Sequence, residues 1–361
     1  WLLDITREIA DGLGQSLKIA VLKSSQPSAR IQSAFANGHV SALPNAPEIS
    51  APLIESCTNI VALAGAEHIQ AALETGADII IAGRCSDAAS IAALPIMRGL
   101  PPGPAWHGAK IGECGALCAT NPQSGVIVIE FDEAGFTIIP TADGACATPH
   151  TVSAHMLYEN SDPLILYEPG GHLDVSAARY TALDDKRVRV SGSRWEKAKT
   201  YTVKLEGARV AGFQVVSLAL LRDPRYVAAA ESWAADIRGL CVAKVCDRLQ
   251  LSDGDFSIEL RLIGQNATFG TLETRTGDPV EIGVLAIVTA ATAGLAREIA
   301  KMLNPYLLHH PLTQGEEQPT FAFPFSPPEM GRGAVFEFCL NHVLELSDPM
   351  DAFSLEVITH G

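Results

Sequence analysis

Four short stretches of the chain carry residue types suited to acid–base or nucleophilic chemistry. The first is Gly83-Arg84-Cys85-Ser86-Asp87, directly after the apolar run Asp78–Ala82. Ligands of open α/β sheets bind past the carboxyl ends of strands. Ser86 can N-cap a helix over Asp87–Arg98, whose free N–H groups and partial positive charge suit a carboxylate or phosphate. Arg84 can add a bidentate contact. A plain strand-to-helix turn, with Ser86 and Asp87 only capping, fits the same residues. The second stretch runs from His107-Gly108 through Gly112-Glu113-Cys114-Gly115 to Asn121. In a glycine-rich turn both Glu113 and Cys114 can reach one pocket. Glu113 is then a candidate base, and Cys114, if it heads a helix, a nucleophile or proton donor. The bland alternative is a connection that holds a buried cysteine.

The third stretch, Thr151–Asp162, reads as a helix with His155 and Glu159 four residues apart on one face. That spacing suits an acid–base pair, although a surface pair is commoner. The fourth, Gly264-Gln265-Asn266, is a turn that can aim Asn266 at a neighbouring site. No GxGxxG or phosphate-loop pattern is present, so neither stretch implies a nucleotide, and no organic cofactor is expected. The eight cysteines contain no CxxC pair, and the histidines form no HExxH, so no metal is expected either. Free thiols in a reducing compartment are the simpler reading, with no disulfide between Cys114 and Cys118.

The elements that must position these residues change character along the chain. In the first half, helices over Trp1–Leu13, Ala66–Thr75 and Asp87–Arg98 alternate with strands over Leu17–Leu22 and Asp78–Ala82. The continuous apolar run Asp78–Ala82 predicts a parallel strand buried on both faces. The second half reads strand 199–205, helix 226–249, strands 256–263 and 281–290, helix 292–303 and strand 335–346. That β-α-β-β-α-β order predicts a ferredoxin-like, split βαβ domain. The fold expected is thus α/β, with a partly parallel sheet domain over 1–190 and a ferredoxin-like α+β domain over 191–361. Residues 314–332, rich in Pro and Gly, read as a loop before the last strand.

Composition sets the outer bounds. Length 361 suits two domains of about 150 residues each. Apolar residues make up 47% and charged residues 19%, which excludes a disordered chain. Acidic side chains outnumber basic ones by 41 to 26, a net charge of −15. That balance argues against nucleic-acid and anionic-membrane partners. The longest apolar run, Val284–Ala296, falls short of the about 20 residues a membrane span needs. With no leader pattern, a cytoplasmic protein is expected. The low charge fraction suggests a homo-oligomer.

Four segments in this order add a resemblance. GADIIIAGRCSDAAS (76–90), GAKIGECGALCATN (108–121), TVSAHMLYENSDP (151–163) and LRLIGQNATFG (260–270) are similar to segments of the acyclic terpene utilisation (AtuA) family. Matching positions are Arg84, Asp87, Glu113, Cys114, Gly115, Tyr158, Glu159, Asp162, Gly264 and Asn266. The chain departs from the pattern after Cys114, where Ala116-Leu117-Cys118-Ala119 is poorer in glycine. It departs again at Tyr167-Glu168-Pro169-Gly170-Gly171, where the family has Tyr-x-x-Pro-Asp. The resemblance implies roughly a hundred further upstream residues in family members, a domain's worth. It also implies a setting in the catabolism of branched acyclic terpenoids through carboxylic-acid or acyl-CoA intermediates.

These readings converge on an expected enzyme of the lyase, hydratase or isomerase type acting on a small carboxylate or acyl thioester. Such a reaction needs a base for an α-proton and donors for the developing enolate. Glu113 and Cys114 are the catalytic candidates. Arg84, Ser86, Asp87, Asn121, His155, Glu159 and Asn266 are the candidate substrate contacts. The rival reading is a non-catalytic accessory or scaffold subunit of an acyl-CoA carboxylase-type complex.

Overall fold

A computed structural model describes every residue except Gln123, Ser124, Glu159, Thr276 and Asp278. It is a mixed α/β structure with two compact units. The first holds residues 1–208 and 338–361, the second residues 209–337.

In the first unit, strand β1 (Leu17–Lys23) pairs in parallel with β2 (Ile79–Ala82), from Ile19 opposite Ile79 to Leu22 opposite Ala82. The C-terminal strand Ser354–His360 lies antiparallel on the other side of β1. β2 is therefore an edge strand of this sheet, and its four side chains are half-buried rather than buried on both faces as its apolar run predicted. Beyond β2, helix α1 (Asp87–Met97) starts with Ser86 as its cap, the hydroxyl accepting from the Ala89 N–H at 3.4 Å. Ala88, Ala89, Ala92 and Ala93 are all fully buried. Side chains this small let α1 lie close against helix α2 (Pro102–Gly112).

α2 corrects the expected glycine-rich turn, because His107–Gly112 is helical. The glycines serve packing here. A Cβ on Gly108 would meet the Phe131 ring at 2.5 Å, so only glycine lets α2 approach the antiparallel sheet that carries Phe131 and Phe136. Helix α3 (Pro149–His155) is shorter than the 151–162 helix expected. It ends at His155, and Asn160 Nδ2 donates back to the Met156 carbonyl at 2.9 Å. Asp162 Oδ1 then accepts from the Leu164 and Ile165 N–H groups and turns the chain into a strand. That strand, β3 (Ile165–Glu168), forms a hairpin with β4 (Gly171–Asp174) across the two residues Pro169-Gly170. Gly170 has φ 80°, the value that the third position of a type II turn requires and that glycine supplies without strain.

The chain enters the second unit along β5 (Tyr201–Leu221) and leaves it along β8 (Met330–Leu346). Within this unit β7 (Ile282–Ala290) pairs antiparallel with both β5 and β6 (Phe256–Ile263). Alternate β7 residues, Ile282, Val284, Ala286, Val288 and Ala290, are buried. They share one core with α4 (Ala230–Leu249) and α5 (Ala293–His309). Each helix presents residues at three- and four-residue spacing: Trp233, Ile237 and Cys241 from α4, and Ala296, Ile299, Ala300, Leu303 and Leu307 from α5.

Four boundaries differ from expectation, among them the last strand, which starts at Met330 inside the stretch expected as a loop and not at 335. The helix expected over 226–249 is broken at Ala229, whose φ −107° and ψ 16° are not helical. α5 continues through Pro305 to His309, with Thr292 as its N-cap. The strand expected at 199–205 is the first part of a 21-residue strand. No described helix is long and apolar enough to cross a membrane.

Candidate functional site

Glu168 sits at the last position of β3, where the tight Pro169-Gly170 turn fixes it at the end of the hairpin. Its surroundings come from two helices: Ser86 and Asp87 from the start of α1, Lys110 from the last turn of α2, and Glu113 just beyond that helix. Burial pushes the Glu168 carboxyl up to about 7. A hydrogen bond from the Ser86 hydroxyl and the charge of Lys110 oppose the rise, and the carboxylates of Glu113 and Asp87 add to it. Lys110 Nζ donates to Glu113 Oε1, so one of the two glutamates holds an ion pair while the other is crowded by like charge. Ser86 is itself buried and has two roles, accepting from the Ala89 N–H and serving Glu168.

His155, the last residue of α3, is buried and stacks on Tyr158 with ring centroids 5.8 Å apart. Burial and then the charge of Lys110 hold its imidazole below the usual histidine range. Ser86, Asp87 and Glu113 are thus gathered around Glu168, and His155 feels the charge of the same lysine.

The other candidates are placed differently. Arg84 donates from Nε to Glu206 Oε2 at 2.8 Å, and Lys204 donates to the other oxygen of that carboxylate at 2.9 Å. Burial pushes Glu206 up, but the bonds from Arg84 and Lys204 outweigh it and hold the carboxyl low. Arg84 is therefore engaged by a protein carboxylate. Cys114 follows Glu113 at the carboxyl end of α2 and leads only a single 3-10 turn, Gly115–Cys118. The helix-start argument for a lowered thiol pKa does not apply at that position. Asn121, with φ 53°, is exposed and donates to the Gly144 carbonyl at 3.1 Å. Asn266 belongs to the second unit and donates to Glu231 at 2.7 Å. Glu159 lies outside the described residues, and the helix expected to carry it beside His155 ends before it.

Glu168 and Lys110 were not among the sequence-derived candidates. The only sign of Glu168 was its place in a Glu-Pro-Gly-Gly segment that departs from the family pattern. Lys110 was hidden in a stretch read as a turn. Among the described residues no group of three or more His, Cys, Asp or Glu side chains is arranged to hold a metal ion. None of the eight cysteines is joined in a disulfide.

The arrangement can move a proton. Two carboxylates share one surrounding but differ in environment, a hydroxyl and an ammonium are beside them, and a helix N-terminus begins at Ser86. No curated protein and no solved structure matches the chain. The family model for the acyclic terpene utilisation family protein AtuA matches residues 2–98 and 113–323, most of the sequence and both compact units. The chain belongs to the acyclic terpene utilisation (AtuA) family.

Proposed function

We propose that the chain is an enzyme that takes a proton from the carbon next to a carboxylate or acyl-thioester carbonyl, in a lyase, hydratase or isomerase reaction. Family membership suggests a role in acyclic terpene utilisation, which supplies the catabolic setting. The observation that carries the reading is the gathering of Ser86, Asp87, Lys110 and Glu113 about Glu168. A carboxyl pushed up to about 7 is half-protonated near neutrality, so Glu168 can both take and return a proton. Glu113, ion-paired with Lys110, acts as the companion carboxylate, and Cys114 beside it as a proton donor. Lys110 and the N–H groups at the start of α1 offset the charge of an enolate. Ser86 and Asp87 remain substrate contacts in this reading, with Arg84 at the rim.

The test is hydrogen exchange in deuterated water on a panel of acyl-CoA esters and short dicarboxylates, followed by NMR. The wild type should wash deuterium into the α-position of at least one compound, and Glu168→Gln should not. Equal exchange by the variant would remove Glu168 from the chemistry, and no exchange across the panel would count against the reaction class.

The wider reading is supported more generally. Eight cysteines not joined in disulfides suit a reducing cytoplasm. Exposed apolar side chains such as Phe336 and Phe338 support self-association. Strand β7 lying between β5 and β6, with two covering helices, supports a ferredoxin-like second unit.

A further inference from the structure

Cys57 and Cys339 are 282 positions apart in the chain, yet their sulfur atoms lie 3.6 Å apart. Both belong to the first unit. Cys57 closes the carboxyl end of the helix Ala51–Ser56, two residues before the strand Asn59–Ala62. Cys339 is part of β8. The backbone beside Cys57 is pinned, because the Thr58 N–H donates to the Ala208 carbonyl at 2.8 Å. Asn59–Ala62 then pairs antiparallel with β5, from Ala208 back to Leu205.

The sulfurs meet over Gly207. A Cβ at that position would come within 3.3 Å of Cys57 Sγ and 2.7 Å of Leu340 Cβ. The Cys339 thiol donates to the Gly207 carbonyl at 3.6 Å. Both sulfurs therefore stand against the backbone of one glycine. A disulfide holds its sulfurs about 2.05 Å apart, so about 1.5 Å remains to close, a distance that small rotations of the two side chains cover. The two thiols differ in access: Cys57 is half-buried and Cys339 is buried. An accessible thiol with a second thiol beside it is the arrangement that captures a sulfenic acid as a disulfide before it oxidises further.

We propose that Cys57 and Cys339 form a site of reversible oxidation, at which a small hydroperoxide such as hydrogen peroxide joins them in a disulfide. The sulfur of Cys57, as thiolate, attacks one peroxide oxygen. The O–O bond breaks, and the departing hydroxide takes the thiol proton and leaves as water, so Cys57 becomes a sulfenic acid. The sulfur of Cys339 then attacks that of Cys57. The S–S bond forms as the S–O bond breaks, and the second hydroxide leaves as water with the Cys339 proton. Together the two cysteines lose two electrons and two protons, and one hydrogen peroxide becomes two waters. The bond ties β8 to the segment that leads on to Ala64. There the Ala64 N–H donates to the Arg84 carbonyl at 3.1 Å, and the Ala64 carbonyl accepts from the Ser86 N–H at 2.9 Å. The disulfide thus braces the backbone behind the start of α1, and it is independent of the proton-transfer reading.

The experiment treats the folded chain with excess hydrogen peroxide or with dithiothreitol, unfolds it in iodoacetamide and maps the peptides by mass spectrometry without reduction. Peroxide should link the Cys57 and Cys339 peptides, with the loss of both from the alkylated pool, and dithiothreitol should restore them. The linked protein should melt several degrees higher, because the bond closes a long loop. Cys339→Ala should stop at the sulfenic acid of Cys57, trapped as its dimedone adduct. Cys57→Ala should leave Cys339 as fully alkylated as in the untreated protein. The wild-type map decides the matter even if a variant fails to fold. Cys57 and Cys339 that stay alkylated after peroxide overturn the proposal, whatever the other cysteines do. So does a link that forms only when peroxide is added to the urea-unfolded chain.

Discussion

Helix α2 carries one buried and one half-buried ionisable region, three residues apart in sequence, and they are built on opposite principles. At His107 every demand is met by a neutral partner. The ring is fully buried, with Nδ1 2.7 Å from the Ser193 hydroxyl and Nε2 3.1 Å from the Tyr180 hydroxyl. Burial pushes this histidine down to about 3, so it is neutral throughout the physiological range. At Lys110 the ammonium pairs with Glu113, and Glu168 feels that ammonium together with the like charges of Glu113 and Asp87. A buried group satisfied on both sides by hydroxyls holds a fold together. A carboxyl lifted by burial and by neighbouring carboxylates is uneconomical for stability and suited to proton transfer.

The largest expected effect separates the two regions by activity. Glu168→Gln keeps the side-chain shape but cannot carry the proton, so α-hydrogen exchange should fall by about 10²- to 10⁴-fold. His107→Phe should leave exchange within a few-fold of wild type in the protein that remains folded. If the two variants lost activity equally, the division between a structural and a chemical side of α2 would fail.

Stability against pH gives the next contrast, because the two shifts have opposite signs. His107 ordinarily titrates near 6.5 and is pushed to about 3 in the fold, so the unfolded chain binds the extra proton. Its contribution is present above about 6.5 and is lost as pH falls toward 3. Glu168 ordinarily titrates near 4.5 and is pushed to about 7, so the folded chain binds the extra proton. Its contribution is present below about 4.5 and is lost as pH rises toward 7. Each slope is at most about 1.4 kcal/mol per pH unit. Urea unfolding from pH 5 to 7 should show the stability of Glu168→Gln rising with pH relative to wild type. His107→Phe should show the reverse between pH 4 and 6, together with a loss of about 1–3 kcal/mol from its stranded hydroxyl partners. Parallel curves for wild type and either variant would mean that the group titrates as it does in the unfolded chain.

How much of this was legible in the sequence follows the range of the interactions. The second unit is built from local patterns, and they can be read directly: the alternation of Phe256–Ile263 and Ile282–Ala290, and the cap at Thr292. Ser86 as a cap was legible for the same reason. α2 was obscured because its glycines look like turn residues until Phe131 is known to lie against Gly108. Glu168 was invisible because its chemistry depends on Ser86, Lys110 and Glu113, which come from separate segments. A Glu-Pro-Gly-Gly sequence indicates a hairpin end, and nothing local says what that end faces. Arg84 shows the same limit: a guanidinium placed after a strand reads as available, and nothing local shows that Glu206, over a hundred residues away, accepts from it.

The smallest effect sharpens the comparison at Ser86, where one hydroxyl serves both fold and site. Ser86→Ala removes the N-cap of α1, which should cost about 1 kcal/mol. The same change removes a hydrogen bond that favours the charged form of Glu168, so that carboxyl should titrate higher still. Two readouts therefore move together: a lower unfolding midpoint, and an ascending limb of the pH–rate profile displaced toward higher pH. Ser86→Gly separates them, because glycine is tolerated at the cap with a loss of only a few tenths of a kcal/mol, yet it also lacks the hydroxyl. The glycine variant should thus recover most of the stability and none of the displacement. If it restored both, Ser86 would act only as a cap. If neither variant displaced the profile, the Ser86–Glu168 bond would have no part in setting the proton affinity of the site.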